Sequence, residues 1–141
     1  MRIIIITQNE PFYLVKSLSY LISNLPSHSQ IIGCVIAPVS PFGKKESFIA
    51  KAIKTYKIFG FKFFVFYALK FIKSKLFNQS LNSLLEKNQI LNIELNSNIN
   101  SQDSLEKIKS YNPDLLISIL ANQIFKKKLI QLSTKGCINL H

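Results

Sequence analysis

Arg2-Ile3-Ile4-Ile5-Ile6-Thr7 follows the first methionine. Four β-branched residues with no polar alternation read as a strand buried on both faces, the kind found inside parallel sheets. Beyond it, Pro11 opens a helical pattern in which Leu14, Val15, Leu18, Leu21, Ile22 and Leu25 recur, closed by Pro26. Ile31 to Ile36 is a second buried-type strand, broken by Pro38 and Pro41. From Glu46 to Leu76 the period is helical and basic, with a bend expected near Phe59-Gly60. Leu81, Leu84 and Leu85 predict a further helix, and Leu91 to Leu95 a short strand. Ser101 or Asp103 caps a helix through Leu105 and Ile108 that stops before Asn112-Pro113. Leu115 to Ile119 is a strand, Ala121-Asn122-Gln123 a turn, and Phe125, Leu129, Ile130 and Leu132 mark a short helix. Cys137 to Leu140 forms a last strand ahead of His141.

Strands alternate with helices throughout. The expectation is therefore α/β: a Rossmann-like open parallel sheet with flanking helices and right-handed crossovers. Such sheets bind ligands beyond the carboxyl ends of their strands. Three places matter most on that ground: Thr7 to Phe12, Leu120 to Phe125, and Asn139 with His141.

Composition narrows the chemistry. With 141 residues, 48% apolar and 18% charged, the chain is sized for one domain with a real core. Gly33, Gly43, Gly60 and Gly136 lie too far apart for a phosphate-binding glycine loop. Two cysteines and two histidines, all scattered, give no metal-ligand spacing, so no metal is expected. Cys34 and Cys137 fall on non-neighbouring strands, read as buried small hydrophobes rather than a bridge. His28, in the loop after Pro26-Ser27, reads as a solvent-facing residue.

The formal charge of +11 is local. Between Lys44 and Lys75 stand nine lysines and one acid, Glu46, giving +8; the rest of the chain carries only +3. The stretch from Phe48 to Phe77 also holds ten of the sixteen aromatic residues. Lysine interleaved with aromatics suits a membrane surface, a protein partner or a nucleic acid, and a solvated helical face accounts for it as well. Arg2 is the sole arginine, which counts against nucleic acid, since forked phosphate and base contacts use arginine. Four isoleucines are too short for a signal-peptide core. Phe63 to Leu69, a lysine-free run, is far below the roughly 20 residues that cross a bilayer. The expected compartment is the cytoplasm, where thiols stay reduced.

Asn139 and His141 sit two apart on one strand, so their side chains share a side. An amide donor can hydrogen-bond an oxygen on which charge builds, and an imidazole can move a proton near neutral pH. By spacing alone the pair is weak evidence for acyl transfer, since a histidine at such a place is more often a tail residue.

The segments Asn112-Pro113-Asp114-Leu115-Leu116-Ile117-Ser118, Gln123-Ile124-Phe125 and Gly136-Cys137-Ile138-Asn139-Leu140-His141 together resemble the formyltransferases that use a 10-formyl folate. Members of that family act on methionyl-tRNA, glycinamide ribonucleotide or amino sugars. The likeness follows strand order from Met1 to His141 and is specific only in the last thirty or so residues. It implies that the chain is the amino-terminal part of a formyltransferase catalytic domain, ending at the strand with Asn-x-His, with a basic aromatic helical insertion at about 44–77.

Carried over to these positions, the resemblance implies that Asn139 stabilises the tetrahedral intermediate and that His141 assists proton removal from the attacking amine. It implies that Asn122, Gln123, Ile124 and Phe125 hold the pterin of 10-formyltetrahydrofolate. Core packing accounts equally for Ile124 and Phe125, and turn chemistry for Asn122 and Gln123. The family's catalytic aspartate falls beyond His141. Asp114, opening a strand, and Asp103, on a helix assigned to the opposite rim, do not replace it. The 141 residues alone are therefore expected to be inactive.

The first loop, Thr7-Gln8-Asn9-Glu10-Pro11-Phe12-Tyr13, is bulky and lacks the glycine of the purine-pathway members. The basic stretch resembles family members thought to act on amino sugars. The expected acceptor is the amine of a nucleotide-linked sugar, with methionyl-tRNA as the alternative. Gln8, Asn9, Glu10 and Tyr13 are candidate acceptor contacts, which exposed loop polarity explains as well. From another class comes a non-catalytic protein that docks on a membrane or partner through the Lys44–Phe77 helices.

Overall fold

The computed structural model describes residues 1–10, 12–37, 47–77 and 80–140. The expectations at Pro11, Pro38, Pro41, Gly43 to Glu46 and His141 lie outside the described residues. Five parallel strands run β1 (Arg2–Gln8), β2 (Gln30–Ala37), β3 (Leu91–Asn92), β4 (Leu115–Ile119) and β5 (Cys137–Leu140). Their order across the sheet is β3-β2-β1-β4-β5. The protein is thus an α/β fold of the Rossmann-like kind.

β1 occupies the centre, and its sequence explains why. Ile3, Ile4, Ile5 and Ile6 are each at most 1% exposed. Alternate residues enter opposite layers, as the two-residue period of a strand requires. Ile3 and Ile5 pack with Leu14 and Leu18 of α1 (Leu14–Ser23) and with Leu81, Leu84 and Leu85 of α3 (Leu81–Lys87). Ile4 and Ile6 pack with Leu105 and Ile108 of α4 (Gln102–Ser110) and Leu129 of α5 (Lys127–Ile130). Burying each such side chain stabilises the fold by about 1.5–3 kcal/mol.

The ladder pairs Ile3 with Leu115, Ile6 with Ser118 and Thr7 with Ile119, then Ser118 with Asn139 and Ile119 with Leu140. The carboxyl ends of β1, β4 and β5 therefore share one rim. Strand order reverses between β1 and β4, and the crevice there is the ligand position of such sheets. Thr7, wholly buried, is accommodated because its hydroxyl donates to the Ile119 carbonyl at 2.7 Å.

The remaining element is α2 (Phe48–Phe77), thirty residues long with Gly60 at φ 77°, ψ 175° inside it. That conformation is open essentially to glycine alone, and it splits α2 into two helical halves. The bend predicted near Phe59-Gly60 is present.

Three expectations are corrected. β3 is two residues, not the Leu91–Leu95 run, because Ile93 reaches the sheet through packing and one bond from its N–H to the Cys34 carbonyl. The short helix excludes Phe125 and Leu132, which pack beside it instead. Cys137 is half-buried, lying on the outermost strand, whereas Cys34 is buried.

Candidate functional site

Three segments converge on the carboxyl rim: Gln8 at the end of β1 with Asn9, Glu10, Phe12 and Tyr13 beyond it, Leu120 to Lys126 after β4, and the end of β5. Leu120 takes a left-handed conformation with φ 55°, uncommon for a side chain of its size. It turns the chain off β4, and its N–H donates to the Leu140 carbonyl at 3.4 Å. The turn is thereby fastened to the last residue of β5.

A second fastening comes from Asn100, just ahead of α4. Its Nδ2 donates to the Ile124 carbonyl at 2.8 Å, and its Oδ1 accepts the Lys126 N–H at 2.8 Å. Sequence reasoning missed this residue, since an asparagine among Asn96, Asn98 and Asn100 carries no distinguishing pattern. The same contact corrects the position of Asp103. α4 begins at the rim that holds the Gln123 turn, so Asp103, in its first turn, does not lie on the opposite one. Ser101 caps α4 by accepting from the Ser104 N–H. Asp114, by contrast, sits at the far end of β4, where its carboxylate accepts the Arg2 N–H at 2.7 Å.

Within the turn, Asn122 is exposed, Ile124 is 75% exposed, and Phe125 is partly buried against the Ile4–Ile6 layer. Gln123 is partly buried, and its Oε1 is shielded from solvent with no donor in reach among the described residues. Gln8 Oε1, at the end of β1, is in the same situation. Two buried amide oxygens without donors on one rim are costly unless a ligand's N–H groups meet them. A ring that carries N–H donors along its edge fits that need.

Among the first-loop residues, Glu10 has a local task. Its carboxylate accepts the N–H groups of Phe12, Tyr13 and Leu14 at 2.9, 2.7 and 3.0 Å. It thus satisfies the open donors at the start of α1, which has no side-chain cap at Tyr13. Asn9 is exposed. The Tyr13 hydroxyl accepts from Lys70 Nζ at 2.6 Å, and that ammonium lies 4.6 Å and 4.9 Å from the Tyr13 and Phe12 ring centres. Phe12 also meets Tyr67 edge-on at 5.2 Å. Tyr67, Lys70 and Phe71, at helical spacing, form the α2 face that meets the first loop, a contact the sequence reading did not anticipate.

Asn139 is exposed on β5, level with Ser118 of β4. His141, the other half of the expected pair, lies outside the described residues. Lys126, Lys127 and Lys128 are exposed beside the turn, while the Glu10 carboxylate is occupied by backbone N–H groups. The rim therefore favours an anionic guest. Among the described residues, no three His, Cys, Asp or Glu side chains gather as metal ligands.

No protein-family model matches the chain. Two curated proteins are similar over a short region, and both are methionyl-tRNA formyltransferases. The one from Clostridioides difficile (strain 630) is 38% identical over 40 residues, 28% of this chain and 13% of its own length. The one from Citrifermentans bemidjiense is 44% identical over 39 residues, 28% of this chain and 12% of its own length. The chain thus matches about an eighth of each of these relatives, and the similarity is to formyltransferases as a kind.

Proposed function

We propose that this chain contributes the folate-side half of a site that transfers a formyl group from 10-formyltetrahydrofolate to a primary amine. The observation that carries the reading is Asn139 near the end of β5, beside a β4 turn tied down by Leu120 and Asn100. The co-substrate supplies a formyl carbon already activated by its bond to nitrogen. The Gln8 and Gln123 carbonyl oxygens accept N–H groups of the pterin edge, and exposed Ile124 gives it an apolar wall. Asn122 and Phe125 complete the turn.

The Asn139 carboxamide donates to the formyl oxygen as charge gathers there. His141, two positions on, takes the proton that the amine gives up as its nitrogen bonds to the formyl carbon. The carbon's bond to the folate nitrogen breaks, and the proton is delivered to that nitrogen.

The acceptor we assign is the amine of a nucleotide-linked sugar, whose phosphates meet Lys126, Lys127 and Lys128. Asn9 and Tyr13 line its approach. The two formyltransferase relatives favour methionyl-tRNA as a second reading. The two acceptors separate by salt, because a tRNA contact made through many phosphates weakens steeply as salt rises.

The test has two parts. Calorimetry with 5-formyltetrahydrofolate on the 141-residue chain should give saturable binding that Gln123→Ala weakens. In the product of the complete reading frame, Asn139→Ala and His141→Ala should each lower formyl transfer about 10²-fold or more. Undiminished transfer in both variants overturns the assignment.

A further inference from the structure

We propose that α2 lies on anionic lipid, holding the protein at a membrane surface. The half of α2 after Gly60 has two faces. Its inner face, through Tyr67, Lys70 and Phe71, meets Phe12 and Tyr13. Its outer face carries Phe61, Val65, Leu69 and Ile72, spaced i, i+4, i+8 and i+11, and these are 68%, 38%, 62% and 54% exposed. They form one continuous apolar stripe, with Phe66 exposed beside it and exposed Lys62 and Lys73 along its margin.

The half before Gly60 repeats the pattern. Ile49, Ile53 and Tyr56 are exposed on one side, with exposed Lys57 at its edge beside Ile53 and exposed Lys54 farther round the helix. Across the bend, the Tyr56 and Phe64 rings meet edge-on with centres 5.9 Å apart, and Phe59 packs on Phe63 at 4.7 Å. Two short amphipathic halves are thus held at a fixed angle.

An exposed apolar stripe of this extent calls for a partner, and charge selects which one. Residues 47–77 contain seven lysines and no acid. An anionic lipid surface meets both features at once, because the stripe enters the acyl boundary while lysines reach the headgroups. A second copy would set lysine against lysine. A nucleic acid would use the lysines but leave Val65, Leu69 and Ile72 without a role. No helix among the described residues is long and apolar enough to cross a membrane, so α2 lies on the surface rather than spanning it.

The chain has no tryptophan, so one introduced indole reports its own surroundings. Phe61→Trp should shift its emission to the blue on addition of phosphatidylcholine vesicles containing one-third phosphatidylglycerol, and brominated lipid should quench it. Tyr20→Trp, on α1, should show neither effect. In sedimentation, binding should fall as salt rises. Lys54→Ala, Lys57→Ala, Lys62→Ala and Lys73→Ala should weaken it about fivefold per lysine. The control pair Lys109→Ala and Lys135→Ala should bind as the parent protein does.

No sedimentation with these vesicles at low salt overturns the proposal. So does equal binding to pure phosphatidylcholine, which removes the role of charge. A concentration-dependent blue shift of Phe61→Trp without lipid, or one produced by nucleic acid and not by vesicles, assigns the face to a second copy or to nucleic acid instead.

Discussion

Asn100 and Lys126 stand 26 positions apart, yet the side-chain oxygen of the first accepts the backbone N–H of the second at 2.8 Å. The same carboxamide donates to the Ile124 carbonyl. One side chain from the start of α4 therefore sets the shape of the turn after β4. Replacing it with Ala should cost about 1–2 kcal/mol in urea unfolding, two hydrogen bonds at about 1 kcal/mol or less each. Binding of 5-formyltetrahydrofolate should weaken about tenfold as the turn loosens. Asn100→Asp keeps the acceptor for Lys126 and loses the donor to Ile124, so it should fall between. An unchanged unfolding midpoint in Asn100→Ala would show that the turn does not depend on this clamp.

Glu10 offers a choice between two roles that mutation separates. Its carboxylate serves three N–H groups at the start of α1. Glu10→Ala should lower stability by about 1–2 kcal/mol, and Glu10→Gln, which keeps one acceptor oxygen, by less. Thermal unfolding of the two variants checks this order. Full stability in Glu10→Ala, with a weakened acceptor contact, would assign the residue to the substrate instead.

Gly33 is required by a neighbour rather than by its backbone angles. A Cβ there would lie 2.5 Å from Ile93 Cδ1 and 3.1 Å from its Cγ1, and Ile93 is buried. Gly33→Ala should therefore destabilise the protein by about 1–3 kcal/mol through overpacking. Ile93→Val removes the nearest of those atoms. The double variant should be more stable than the sum of the single changes predicts, and simple additivity would refute the steric account.

The two thiols should differ sharply in reactivity. Burial pushes the Cys34 thiol from 9.0 up to about 12. Burial also raises that of Cys137, opposed in part by a bond with the Ser118 backbone. A thiol reagent at pH 8 should modify Cys137 first and reach Cys34 only on unfolding. Above pH 9.0 the unfolded chain releases the Cys34 proton while the folded one retains it, so stability is lost as pH rises. The stability of the parent protein relative to Cys34→Ala should fall by about 1.4 kcal/mol per pH unit from there towards pH 12. A pH-independent difference between pH 8 and 10.5 would contradict this.

Ile3 to Ile6 disclosed the centre of the sheet because a run without alternation has no polar side to offer water. Leu115 to Ile119 did so for the same reason. Leu91 to Leu95 misled because apolar spacing records burial, not pairing, and Ile93 is buried by contact with Gly33 and Ile99 rather than within a ladder. The candidate site was legible in part. Rim positions such as Gln8, Gln123 and Asn139 follow from strand ends alone. The Asn100 clamp was invisible, since a long-range bond from a loop asparagine leaves no trace in local pattern. Asp103 was misplaced because the polarity of α4, which starts at the rim where β4 ends, was not drawn from the parallel sheet.

The central position of β1 also governs how the molecule comes to exist. β1 is made first, and β2 can join it early, but its other neighbour, Leu115–Ile119, follows Ala37 by 77 intervening residues. At translation rates of about 5–20 residues per second that interval lasts roughly 4–15 s. Throughout it, one hydrogen-bonding edge of a strand with four consecutive isoleucines stays open on the nascent chain. A chaperone that recognises such segments would have its best opportunity then, before the second half of the sheet has left the ribosome.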